Sequence, residues 1–264
     1  MDFSQTKFRA SSWGNLLSEP VSKADKESGK LSLTCQKELI KIYNQVCYGR
    51  KKDITTKQMD KGIQAEPESI KLLSMVEGKL YYKNEEPLQN EWFTGHPDLF
   101  TGDNIQNADE VLDIKTSWEL DSFMPKLIEE ADRSYIAQLN VYFDLTGAKS
   151  GAIAYCLVSA PINIIESEKK ALLWRMNVIS EESPEYLRAV EEMTKLMVFD
   201  DIDYRERVIK IPVQRDDELI AKMKAKVPIL RQWLQDFHEN LVAKSNQEIQ
   251  TAYDNKLKLL NNGL

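Results

Sequence analysis

Residues Glu91-Trp92-Phe93-Thr94-Gly95-His96-Pro97-Asp98-Leu99-Phe100, then Thr101-Gly102-Asp103-Asn104, then Val111-Leu112-Asp113-Ile114-Lys115 decide how this chain is read. The flanking segments, 91–100 and 109–115, have strand character. In the second, Val111, Asp113 and Lys115 alternate with Leu112 and Ile114, the period-two pattern of a strand. Gly, Asp and Asn between them form turns, so the pair predicts a β-hairpin or meander. Residues two apart in a strand share a face. Asp113 and Lys115 therefore project together, while Leu112 and Ile114 face the core. Pro97 fixes the backbone ahead of Asp98, and a returning hairpin brings Asp98 close to Asp113.

An Asp-x-Lys pair by itself is ordinarily a solvated ion pair. Asp98 changes that reading, because two carboxylates held close repel each other unless a cation lies between them. A hard cation, Mg2+ or Mn2+, suits oxygen ligands and keeps several waters. The main-chain carbonyl of Ile114 could complete the set. Lys115 then has a task, to orient or deprotonate an attacking water and to offset phosphate charge. Carboxylates, magnesium and a lysine suit phosphodiester hydrolysis, where stabilising added negative charge is the main requirement.

Outward from this stretch, helices and strands alternate. Ser11 or Ser12 is expected to cap a helix carrying Trp13, Leu16 and Leu17, and the polar stretch 18–32 to form a mobile surface loop. Thr34 is expected to cap a helix over 35–48 with Leu39, Ile42, Tyr43 and Val46 on one face, ended by Gly49. A helix over 57–77 follows, with Ile63, Ile70, Leu73 and Val76 at helical spacing and Pro67 either starting its main part or kinking it. Residues 79–83 are strand-like. Residues 132–146 form a helix ended by Gly147, and the apolar run 151–158 is a buried strand. Helices over 165–178 and 184–198, a strand over 206–213 and a long helix from Asp216 to about Asn240 complete the chain. The pattern is α/β or α+β around a mixed sheet.

The composition fits this reading. The chain has 264 residues, 42% hydrophobic and 29% charged, an ordinary globular balance. No apolar run approaches the roughly 18–20 residues of a membrane helix, and residues 1–10 do not read as a secretory signal. Cys35, Cys47 and Cys156 are scattered, without a C-x-x-C pair, and there are only two histidines. A disulfide framework, a zinc site and an iron–sulfur site are therefore not indicated. A reduced, cytoplasmic protein is expected. The net charge is −7, but residues 1–61 sum to +5; a local basic surface can bind phosphates on an acidic molecule.

Four elements, taken in order, resemble the PD-(D/E)XK nuclease superfamily, and within it the lambda exonuclease, YqaJ and RecB-like branch. They are Gly62-Ile63-Gln64-Ala65-Glu66, Gly95-His96-Pro97-Asp98, Asp113-Ile114-Lys115, and Tyr135 with Gln138 and Tyr142. Together they span about 80 residues; each alone is weak, and their order is the strong signal. The resemblance implies a restriction-endonuclease-like core, a central mixed sheet flanked by helices. It implies one nuclease domain, with a basic helical part over 1–61, the catalytic core over 62–160, and a helical part over 161–264 with one added strand. It implies that Asp98, Asp113 and the Ile114 carbonyl hold the metal, and that Glu66 (Glu68 is a neighbouring rival) completes the site directly or through a water. Lys115 would activate or position the water, and Gln138 and Tyr142 would brace the site or contact the DNA backbone.

A second resemblance concerns the N terminus. Arg9-Ala10-Ser11-Ser12 is similar to the element with which phage-type exonucleases of this branch hold a terminal 5′-phosphate; a guanidinium, a hydroxyl and backbone N–H groups make an anion pocket. Arg50, Lys51, Lys52, Lys57 and Lys61 precede Glu66 and would either line a DNA channel, making binding salt-dependent, or form a solvated basic loop. Trp118 and Phe123 would either stack on a base or fill the core. The resemblance implies a magnesium-dependent exonuclease acting on duplex DNA ends, 5′ to 3′, in phage-type recombination beside a single-strand annealing protein, and assembled as a homo-oligomer. An endonuclease and a non-catalytic DNA-binding or scaffold protein are the alternatives.

Overall fold

The structure, a computed structural model, describes residues 1–50, 57–117 and 119–261, with side chains described outside 57–61, 246, 249 and 251–261. Strand β1 (Phe8–Arg9) leads through a 3-10 turn, Ala10–Ser12, into α1 (Trp13–Leu16), followed by α2 (Lys23–Glu27), α3 (Leu33–Tyr48) and α4 (Lys57–Glu77). Strands β2 (Leu88–Gln89), β3 (Phe93–Gly95), β4 (Leu99–Thr101) and β5 (Glu110–Ser117) come next. Then come α5 (Leu120–Phe123), α6 (Arg133–Thr146), β6 (Ser150–Leu157), α7 (Ile162–Met176), α8 (Pro184–Lys195), β7 (Val208–Gln214) and α9 (Asp217–Asn261).

The main sheet has the order β4-β5-β6-β7. Strands β5 and β6 run parallel, with Asp113 opposite Ile153 and Lys115 opposite Tyr155, and β4 and β7 flank them antiparallel. This is the mixed sheet flanked by helices that the sequence predicts, and 206–213 closes one edge of it. Alternation sorts the side chains of β5. Leu112 and Ile114 join Ala65, Ile70, Leu72 and Leu73 of α4 in one buried cluster. Val111 joins Leu139, Val141 and Phe143 of α6 in the other. Asp113 and Lys115 share the face of Val111, so they lie against α6 rather than in water. Helix α9 packs against this second layer with Ile220, Met223, Val227, Leu230 and Leu234, a spacing of three and four that keeps one stripe inward. Among the described residues no helix is long and apolar enough to cross a membrane.

Several local expectations are corrected. The strand read over 91–100 is two strands in two sheets. β3 pairs with β1 and β2, whereas β4 pairs with β5. The break falls at His96-Pro97-Asp98, because Pro97 has no N–H to give a ladder. Residues 79–83 form no strand beyond an isolated bridge between Lys83 and Leu99. Within 18–32, α2 is capped by Ser22, whose side chain accepts from the Asp25 N–H. Ser32, not Thr34, caps α3. Neither Ser11 nor Ser12 caps α1, since the 3-10 turn already delivers Ser12 in helical conformation. Val46 and Ile63 are exposed, and Ala65 and Leu72 take the inward places on α4. Pro67 lies inside α4, two turns and more past its start. Gly49 and Gly147 end α3 and α6 as expected, both left-handed.

Candidate active site

The break between β3 and β4 positions Asp98. A buried side chain that the sequence reading missed, Asn84, holds it. The Asn84 N–H donates to the Asp98 carbonyl at 2.8 Å, and Nδ2 donates to the Pro97 carbonyl at 3.0 Å and the Glu86 carbonyl at 2.9 Å. The Asn84 carbonyl lies 3.0 Å from His96 Nε2, which makes His96 a structural partner of this turn. So clamped, Asp98 turns its carboxylate to β5, where Oδ2 accepts the Ile114 N–H at 2.7 Å. The Ile114 carbonyl shares that strand edge, since N–H and C=O of one strand residue point the same way.

Asp113 is almost wholly buried. Its Oδ1 accepts from Gln138 Nε2 at 2.8 Å, and the same nitrogen donates to the Tyr142 hydroxyl at 2.8 Å. Tyr135, Gln138 and Tyr142 stand three and four residues apart on α6 and so share one face. Lys115 Nζ sits 4.3 Å above the Tyr135 ring and 2.7 Å from Asp113 Oδ2. That second contact is an ion pair without hydrogen-bond alignment, which leaves Oδ2 a buried oxygen with no hydrogen-bond partner. Gly95 belongs to this packing: a Cβ there would lie 2.8 Å from the Tyr142 ring, closer than side chains approach.

Burial and the neighbouring Asp113 charge push the Asp98 carboxyl up to about 7, against the pull of the Ile114 N–H and Lys115. Burial also raises Asp113, with Lys115 opposing it. For Lys115, burial works against the ammonium, but the ion pair with Asp113 outweighs it and the net displacement is upward. Burial thus outweighs the pull of Lys115 on both acids.

Glu66 comes from α4, on the opposite face of the sheet. Ser69, one turn further, fixes that helix by a 2.9 Å hydroxyl contact with Thr116 of β5. The Glu66 charge reaches Asp98, but its Oε2 accepts from Lys83 Nζ at 2.8 Å. Lys83 is a second residue that the sequence reading missed. Glu68 is no rival, since it is exposed and pairs with Lys71. Among the described residues no group of three His, Cys, Asp or Glu side chains is arranged to hold a metal ion. The donor set that fits a cation is Asp98 with Asp113, whose buried Oδ2 lacks a hydrogen bond. Two carboxylates plus waters is a common way of holding Mg2+.

The N-terminal residues divide. Arg9 is exposed on β1, and its charge reaches the Tyr142 hydroxyl. Ser11 is exposed. Ser12 is buried and donates to Glu38 Oε1 at 2.9 Å, so a carboxylate has taken the hydroxyl expected to meet a phosphate. Arg50 is exposed. Lys51, Lys52 and Trp118, and the side chains of Lys57 and Lys61, lie outside the described residues. Phe123 is a core residue.

A mixed sheet between helices, with two acids and a lysine where the chain changes sheet, is the arrangement found here. The chain has the PD-(D/E)XK nuclease fold in its phage-type exonuclease form. It is similar to the structure of a phage related exonuclease from Haemophilus somnus 129PT, with TM-score 0.69 and 25% identity over 90% of this chain and 97% of that one. It is also similar to the alkaline exonuclease LHK-Exo from Laribacter hongkongensis, with TM-score 0.59 and 14% identity over 92% of this chain and 95% of that one. LHK-Exo in complex with dAMP gives the same TM-score, at 15% identity. No protein-family model and no curated protein matches the chain.

Proposed function

We propose that this protein is a divalent-metal-dependent deoxyribonuclease that degrades duplex DNA from its ends. The observation that carries this is the convergence of Asp98, Asp113 and Lys115 at the sheet break, within a fold shared over nearly its whole length with an exonuclease. Asp98 and Asp113 would hold Mg2+ or Mn2+, with the Ile114 carbonyl on the same strand edge. When bound, the cation would supply Lewis-acid stabilisation of the phosphoryl oxygens and a more acidic water. Lys115, held as an ammonium, orients the attacking water and offsets charge on the scissile phosphate. Gln138 and Tyr142 fix the Asp113 carboxylate from α6 and do not themselves face DNA. Glu66 completes the acid edge.

Arg9 and Ser11 are the available anchors for a terminal phosphate, and Ser12 acts through Glu38 instead. Arg50, Lys51, Lys52 and Lys61 would add positive charge for the DNA backbone. The resemblance further suggests 5′ to 3′ polarity, a homo-oligomer, and a role in phage-type recombination beside a single-strand annealing protein. The test is incubation of the protein and its Asp113→Asn variant with linear and closed circular duplex DNA, in Mg2+ and in EDTA. Loss of linear DNA alone, in Mg2+ alone, with an inactive variant, is expected. Cutting of closed circles would make it an endonuclease. Failure to degrade any DNA would leave a DNA-binding protein and end the catalytic reading. Strand-specific end labels read the polarity.

A further inference from the structure

Among the described side chains two lysines stand among the acids, and of these Lys115 alone belongs to the Asp-x-Lys strand. Lys83 stands in the isolated bridge to Leu99, the residue after Asp98, with its Nζ 2.8 Å from Glu66 Oε2. Glu66 and Asp98 are both among the charges acting on it. The neighbouring Asn84 clamp fixes the backbone here, whereas the Lys83 side chain is 43% exposed. It can therefore leave Glu66 for solvent by side-chain rotation, without opening a cavity. An ammonium in this place engages an oxygen that a cation would otherwise take as a ligand.

We propose that Lys83 is a positioning residue that competes with a divalent cation for Glu66 and so sets the cation affinity of the Asp98–Asp113 edge. The proposal rests on the metal-dependent reading above. Displaced from Glu66, the Lys83 ammonium turns to solvent, where it is free to meet an anionic phosphate oxygen. Cation loading and DNA binding then favour each other reciprocally.

Mn2+ binding to the full chain without DNA, read from the paramagnetic resonance of the free ion, tests this. Wild type is expected to bind and Asp113→Asn to lose binding. Lys83→Met should bind about threefold tighter or more, because the Glu66 carboxylate is then unopposed in attracting the cation. Lys83→Arg, which keeps the charge, should stay within about twofold of wild type. In a Glu66→Gln background the Lys83→Met tightening should vanish. Mn2+ affinity unchanged or weakened by Lys83→Met, in a variant with wild-type circular dichroism, would overturn the proposal and leave the metal site standing. The same tightening persisting in Glu66→Gln would also overturn it, since Lys83 would then act without Glu66. No Mn2+ binding by wild type would sink the metal reading and this proposal together.

Discussion

At the scale of single residues, the site is a problem in charge burial. Asp98 carries its proton to about pH 7, mainly through burial and then through Asp113. A carboxyl raised above its unfolded value stabilises the fold below that unfolded value, about 4, and the contribution is lost as pH rises through about 7. In EDTA, therefore, the melting temperature is expected to fall between pH 4 and 7, and Asp98→Asn to flatten that fall. A cation between the acids should restore the stability at the alkaline end, measurable as a Mn2+-dependent rise in melting temperature at pH 8. Gln138 poses the complementary case. Gln138→Leu removes the donor to both Asp113 Oδ1 and the Tyr142 hydroxyl, leaving buried acceptors unpaired at a cost of about 1–3 kcal/mol. Denaturant unfolding should show that loss. Turnover should fall more than apparent affinity for DNA, since Gln138 touches a metal-edge carboxylate rather than the substrate.

At the scale of elements, the decisive feature is the change of sheet at His96-Pro97-Asp98. Asn84 ties that turn by three hydrogen bonds into a rigid support for Asp98. Asn84→Ala keeps the two backbone bonds and removes the side-chain amide; it is predicted to destabilise the fold by about 2 kcal/mol, the cost of leaving the buried Pro97 carbonyl unpaired, and to weaken Mn2+ binding by loosening Asp98. Unaltered Mn2+ affinity would show that the backbone bonds alone hold Asp98 in place. Gly95 works from the other side. Gly95→Ala pushes a methyl into the Tyr142 ring, and overpacking of this kind costs about 1–3 kcal/mol. Because Tyr142 is bonded to Gln138, activity should drop beyond what the loss of stability explains, which activity per folded molecule measures.

For the whole molecule, charge is divided rather than uniform. The chain is −7 overall, while residues 1–61 carry +5. The excess of positive charge thus lies in the N-terminal part of the sequence, which includes Arg9 and Arg50, both exposed. Replacing Arg50, Lys51 and Lys52 together with Ser should weaken DNA binding and flatten its logarithmic salt dependence by up to about 0.9 for each phosphate no longer neutralised. Mn2+ affinity should stay unchanged. A salt dependence identical to wild type would remove these residues from the DNA path.

The sequence alone determined the elements whose signals are local. Period-two alternation marked β5, an apolar run marked β6, and glycines closed α3 and α6. The order of Glu66, Asp98, Asp113, Lys115, Gln138 and Tyr142 pointed to the nuclease fold, because motif order survives when each motif is weak. The tertiary structure decided which partner each polar group meets. Lys83 finds Glu66, Asn84 finds Pro97, and Ser12 finds Glu38 across gaps of 17, 13 and 26 residues. No helical or strand period encodes such pairings. The Asn84 and Ser12 pairings follow from burial, which obliges each polar group to find a partner from whatever the folded chain brings near, and the exposed Lys83 pairs with Glu66 by charge. The same reason moved Asp113 and Lys115 from an apparently solvated strand face to an ion pair enclosed by α6.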